Sequence, residues 1–149
     1  MTFTDIVPMD ARMDADVAPL IRVLRPALTA EGFREFVTEA HGQGLVVTAA
    51  YDPDGACLAV VTHRVLATSR GRVLFVDDLV TAPAARGRGI GGRLLAEVVR
   101  RGGEQACVRL ELDSGTANHG AHRFYEAGGM DVAALHFARD LPAAPAPHG

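Results

Sequence analysis

The run Arg86-Gly87-Arg88-Gly89-Ile90-Gly91-Gly92 follows an apolar, strand-like stretch and opens into an amphipathic helical pattern. Glycine has no Cβ to hold a ligand away from the backbone. Successive N–H groups can therefore turn toward one anion at the positive end of a helix. A pyrophosphate is the ligand this arrangement suits. The spacing Gly87-x-Gly89-x-x-Gly92, with Glu111 and Asp113 about 20 residues further on, also matches a dinucleotide fingerprint. Against that reading, a Pro-containing loop, Thr81 to Ala85, separates strand from glycines, only one β-α-β pattern is legible, and 149 residues are few for two nucleotide-binding halves.

That length predicts one domain with a core of its own, independent of metals or disulfides. A net charge of -3 offers no field for nucleic acid or anionic lipid. All fifteen basic residues are Arg. The absence of Lys excludes a P-loop lysine, a Schiff-base enzyme and a pyridoxal-phosphate site. Cys57 and Cys107 stand apart in apolar runs and read as buried free thiols; no cluster with metal-ligand spacing is present. Thr2, Phe3, Thr4 and Asp5 form neither a basic patch nor an apolar core, and no window reaches the ~18 apolar residues of a membrane span, so a cytoplasmic protein is expected. Residues 142–149, with three prolines among alanines, read as a disordered tail after a domain of residues 1–141.

Periodicity predicts a strand over Phe3–Met9, helices over Ala15–Leu28 and Ala30–His41, and strands over Leu45–Tyr51 and Ala56–Ala67 joined by the turn Asp52-Pro53-Asp54-Gly55. Arg72–Thr81 reads as the central strand. The helix after the glycines ends at Gly102-Gly103, Ala106–Leu112 is a parallel neighbour of the central strand, Asn118–Ala127 is the last helix and Met130–Phe137 a final strand. Alternation along the central strand puts Asp77, Leu79 and Thr81 on one face and Val76, Asp78 and Val80 on the other.

Over Arg72 to Met130 the chain resembles the GCN5-related N-acetyltransferases. The family's Q/R-x-x-G-x-G/A signature is met by Arg86, Gly89 and Gly91, and its N-x-x-A-x-x-F-Y-x-x-x-G pattern by Asn118, Ala121, Phe124, Tyr125 and Gly129. The resemblance implies an α/β fold with a single mixed, mostly antiparallel sheet of six or seven strands, a splayed parallel pair and about four helices. It implies acetyl-CoA as cofactor, no metal, direct transfer to a primary amine in a ternary complex, and a possible homodimer. Backbone groups of residues 86 to 92, Arg86, Gly87, Arg88, Gly89, Ile90, Gly91 and Gly92, would hold the diphosphate. Leu79, Val80 and Thr81 would bind pantetheine like an added strand, Asn118 a pantetheine amide, Phe124 would line the cofactor site, and Tyr125 would serve as general acid.

The chemistry sets its own demands. An alkyl amine with a pKa near ~10.4 is about one part in 2,500 neutral at pH 7, a deficit of roughly 4.6 kcal/mol that desolvation and a proton acceptor must reduce. Asp77 sits where polyamine-type members of the family carry a carboxylate acting through water. It is the first candidate, with simple cation binding as its other reading, and Asp78 reads as structural, satisfied by Arg or backbone donors. Glu111 and Asp113, from the neighbouring strand, would face the same crevice and bind an amine or relay its proton, with an ion pair or loop cap as their other reading; His63 and His122 are further candidate bases. The acidic residues favour a cationic small-molecule acceptor. Two other readings stay open: an acyl-CoA sensor, which needs Gly89, Gly91 and Asn118 but neither Tyr125 nor Asp77, and a protein N-terminal acetyltransferase.

Overall fold

The computed structural model describes residues 1–144, in two compact units divided between Leu112 and Asp113. The first holds one five-stranded sheet in the order β1-β2-β3-β4-β5: β1 Thr2–Ile6, β2 Val46–Tyr51, β3 Cys57–Thr68, β4 Gly71–Thr81 and β5 Arg109–Leu112. The first four strands are antiparallel neighbours, and β5 pairs with β4 in parallel from Val73↔Arg109 to Val76↔Leu112. Five strands stand among the described residues in place of the six or seven expected. The predicted strand Met130–Phe137 is irregular and exposed: its apolar residues suit a strand, but a strand exists only through a ladder, and none forms there. Of the predicted tail, residues 145–149 lie outside the described residues.

Helices cover both faces of the sheet. On one face, α1 (Ala18–Leu24) and α2 (Ala30–Gly42) bury Leu20, Ile21, Phe33 and Val37 with Val47, Ala49, Val60 and Val80 of the strands. Thr29 caps α2, its hydroxyl accepting from the Gly32 amide at 3.0 Å. The expected single helix from Ala15 is instead a π-helical turn, Met13–Val17, followed by α1. Pro19 supplies the reason. It has no N–H to donate, so the ladder is broken as α1 begins, and the Ala18 amide reaches the more distant Met13 carbonyl.

On the other face lies α3 (Ile90–Glu104), burying Ile90, Leu94, Leu95 and Val98. It runs through Gly102-Gly103 rather than ending there. Gly102 is needed for contact: a Cβ on it would sit 3.3 Å from Leu74 Cδ2 of β4. The stop comes later, where Cys107 N–H bonds Gly102 O at 2.9 Å and Ala106 N–H bonds Gly103 O at 3.2 Å. This is a Schellman closure with Ala106, at φ +60°, in the left-handed position glycine usually takes.

Beneath α3 a polar network joins four elements, β1, β2, β3 and α3 itself. The Thr48 hydroxyl donates to Asp5 Oδ1 at 2.8 Å, Arg101 Nη1 donates to the same carboxylate oxygen at 2.6 Å, and His63 Nε2 lies 3.0 Å from the Thr48 oxygen. With the hydroxyl proton committed to Asp5, His63 must donate, which assigns the neutral Nε2–H tautomer. Burial, reinforced by the Arg101 charge, pushes the His63 pKa down to about 4.

A histidine depressed in the folded state takes up its proton more readily when unfolded. Its contribution is therefore full above the unfolded value near 6.5 and lost as pH falls toward about 4. Denaturant unfolding at stepped pH should show stability falling across that window by up to roughly 3 kcal/mol from this residue. His63→Gln should flatten that limb; an unchanged slope would remove His63 as its source.

Candidate functional site

The predicted anion turn forms as two left-handed residues in a short loop. After β4, a 3₁₀ turn (Pro83–Ala85) anchors on buried Ala85, Arg86 is extended, and Gly87 (φ +78°) and Gly89 (φ +73°) bend the chain into α3. No atom lies within 4 Å of where a Cβ would sit on either glycine, so it is backbone conformation rather than crowding that selects them. Gly89 is the N-cap of α3 and has no side chain to satisfy the first-turn amides of Ile90, Gly91 and Gly92. A helix start left without a side-chain cap is of the kind that suits an anion. The strands flanking this turn are mainly antiparallel with a single parallel pair, unlike the doubly parallel sheet of a dinucleotide fold.

Beside the turn, β4 changes character halfway along. Its ladder with β5 ends at Val76↔Leu112, while its ladder with β3 continues to Ala59↔Thr81. From Asp77 to Thr81 the β4 edge on the β5 side thus has no strand partner among the described residues. Leu79, Val80 and Thr81, the residues expected to receive a ligand as an added strand, lie on this open edge.

The same stretch holds a β-bulge that corrects the alternation read from sequence. Thr62 pairs with Asp78 but His63 pairs with Val76, so Asp77 is an extra residue on β4. The two carboxylates consequently share a face instead of opposing each other. Thr62 and Arg64, two apart on β3, each hold one of them. Arg64 is bidentate to Asp77 (Nε to Oδ2 3.0 Å, Nη2 to Oδ1 3.2 Å), and the Thr62 hydroxyl donates to Asp78 Oδ2 at 3.2 Å. Arg25, just past α1, closes over Asp78 Oδ1 at 3.4 Å. This is the α1 face of the sheet.

The two aspartates differ in setting. Burial raises the Asp78 pKa, and the neighbouring Asp77 charge adds to the rise against the opposing pull of Arg25 and Thr62. Asp77 has both oxygens on one guanidinium. Sequence reasoning missed Arg25, Arg64 and Thr62, because a strand position's partners depend on a register that one inserted residue resets.

Each remaining candidate has partners of its own. Glu111, on β5, is held by Arg70 at 2.8 Å and Arg109 at 2.9 Å, and both guanidinium groups lower its pKa. Asp113 belongs to the second unit, where its Oδ2 is 3.2 Å from His136 Nδ1. His63 is buried in the network under α3, out of reach of solvent. His122 lies on α4 (His119–Ala127), its Nε2 2.8 Å from Gly115 O.

In that second unit Asn118 caps α4, its Oδ1 accepting from the Ala121 amide at 3.2 Å. Phe124 and Tyr125 pack edge to face with centroids 5.2 Å apart. Burial raises the Tyr125 pKa, so its phenol is a proton carrier at neutral pH. Cys57 and Cys107 are free and half-buried rather than fully buried.

Comparison with known proteins supplies the context for this geometry. A mycothiol acetyltransferase of Rhodococcus jostii is 36% identical over 107 residues, which are 67% of this chain and 33% of that protein. The chain thus spans about a third of that relative's length. Among solved structures, the tetramutant of the BH1408 protein of Bacillus halodurans superposes with a TM-score of 0.79 at 19% identity, covering 95% of this chain and all of the other. The aminoglycoside N-acetyltransferase AAC(6')-Iy in complex with CoA gives 0.75 at 19% identity, covering 93% of each chain. Residues 13–130 match the sequence profile described as the acetyltransferase (GNAT) family, and with four fifths of its length so matched the chain belongs to that family.

Proposed function

We propose that the protein is an acetyl-CoA-dependent N-acetyltransferase that moves an acetyl group directly to the primary amine of a small molecule in a ternary complex. The observation that carries this reading is the adjacency of two backbone sites: the left-handed Gly87 and Gly89 turn at the start of α3, and the unpartnered β4 edge from Asp77 to Thr81. One suits a diphosphate, the other the amides of pantetheine. The CoA complex of the aminoglycoside N-acetyltransferase is consistent with both. No helix among the described residues is long and apolar enough to cross a membrane, and a cytoplasmic setting is part of the proposal. A homodimer belongs to the same proposal, supported by Leu135 and Phe137, which are 77% and 88% exposed.

In this mechanism the thioester carbonyl carbon is attacked by the neutral amine, the C–S bond breaks and the N–C bond replaces it. The bulge aspartates divide the proton work. Asp78, with its raised pKa, accepts a proton from the incoming ammonium through water; Asp77, the carboxylate first expected in that role, holds Arg64 and keeps negative charge beside Asp78. Free β4 amides can donate to the oxyanion. By its match to the family pattern, Tyr125 is the hydrogen-bond donor we assign to the departing sulfur. Transfer of its proton to a thiolate runs uphill by about 2 kcal/mol even at unshifted values, so a strong hydrogen bond in the transition state is the more economical role.

Calorimetry and thiol release with an amine panel test this reading. Acetyl-CoA should bind the wild-type chain, and Gly89→Val should weaken that binding more than about tenfold, because a β-branched residue resists the left-handed region. No heat with acetyl-CoA would end the proposal, and binding without amine-dependent thiol release would favour the sensor reading.

Tyr125→Phe should lower kcat by about 10²-fold or more while changing acetyl-CoA affinity less than about threefold. Asp78→Asn should lose activity near neutral pH and recover part of it at alkaline pH, where the amine deprotonates unaided; Asp77→Asn with that profile and Asp78→Asn without it would return the acceptor role to Asp77.

A further inference from the structure

The face of β4 that carries the bulge is not acidic, its guanidinium groups outnumbering its carboxylates by one. Asp77, Asp78 and Glu111 present three carboxylates there, Glu111 sharing the face because Phe75 pairs with both Arg64 and Glu111. Each is already met by guanidinium: Asp77 by Arg64, Asp78 by Arg25, Glu111 by Arg70 and Arg109. A polycationic acceptor would have to displace these groups and leave several guanidinium ions without counter-charges.

One of the pairs is built to open. Arg64 is clamped bidentate to Asp77 with its side chain 20% exposed. Arg25 is 63% exposed, makes one 3.4 Å contact to Asp78, and among the described residues otherwise reaches only the Leu24 carbonyl at 3.5 Å. It follows the last turn of α1 in a non-helical conformation, so its side chain can swing without disturbing a helix. Asp78 stays in place when Arg25 leaves, because Thr62 holds its other oxygen.

We propose that the acceptor is a zwitterionic amine, with its carboxylate one or two carbons from the amino group as in an α-amino acid, and that it enters by opening the Arg25–Asp78 ion pair. The amino group replaces Arg25 on Asp78, and the carboxylate takes the freed Arg25 guanidinium. Two charges in contact are thereby matched by a substrate whose own two charges are nearly in contact, and no ion is left unpaired at any stage. The bound ammonium gives one proton to Asp78 through water. The resulting amine then attacks the thioester, and its second proton leaves with CoA as the thiol. Arg25 is thus a specificity-determining residue, and the inference rests on the acetyl-transfer reading above.

The test uses the whole chain, acetyl-CoA, and matched sets of acceptors: α-amino acids, the amines obtained by removing their carboxylates, and linear polyamines, with thiol release as readout. The amino acid should exceed its decarboxylated partner in kcat/KM by roughly 10- to 100-fold, the range of one charge-assisted contact. Arg25→Gln should reduce that preference to under about threefold, acting mainly through KM of the amino acid, and Arg25→Lys should restore part of it. Preference for decarboxylated amines or polyamines, or an Arg25→Gln variant that keeps the preference, would overturn the inference while leaving acetyl transfer intact. Release with no acceptor at all would overturn both.

Discussion

One residue too many in β4 determines what this face of the sheet can do. In a regular ladder Asp77 and Asp78 would point to opposite sides, one toward α3 and one toward α1. The inserted residue at Asp77 turns both toward α1, where β3 already presents Thr62 and Arg64 at matching positions. A like-charged pair on one face is unfavourable unless each member is compensated, and the two arginines and the threonine provide that compensation. The bulge also coincides with the end of the parallel ladder to β5. A polar cluster and an open backbone edge therefore arise from a single local irregularity.

The glycine turn depends on the sheet in a different way. α3 starts at Gly89 and is fixed farther along by Gly102 against Leu74 and by Arg101 against Asp5 and Thr48. The helix is a rigid body seated by these contacts together with buried Ile90 and Leu94, so the direction of its first amides is set in part by residues about three turns away. The buried His63 beneath it adds a proton-dependent contribution to that seating.

Much of this was legible in the sequence. The helical stripe after the glycines, the hairpin at Asp52 to Gly55, the last helix ending at Ala127 and the parallel crossover are local signals that survive folding. The misses share a cause. The bulge is a property of two strands together, the π-helical turn follows from how Pro19 is entered, and the late stop of α3 comes from contact between Gly102 and Leu74. Met130–Phe137 had the composition of a strand without a ladder to join. Ion pairs such as Arg64–Asp77 were invisible because they follow the register, whereas the expectation that an Arg would satisfy Asp78 is met by Arg25.

The cations that secure this fold are guanidinium groups, with one histidine contact besides. Guanidinium stays protonated at any physiological pH and so is no nucleophile, whereas a lysine always holds a small fraction of reactive free base. Burial pushes the Cys57 thiol up to about 11, which keeps it from forming the thiolate that would react in its place. Under the proposed function, a chain that collects an acylating agent is thereby braced by side chains that agent does not modify, and its charge pattern is protected from slow self-modification by its own donor.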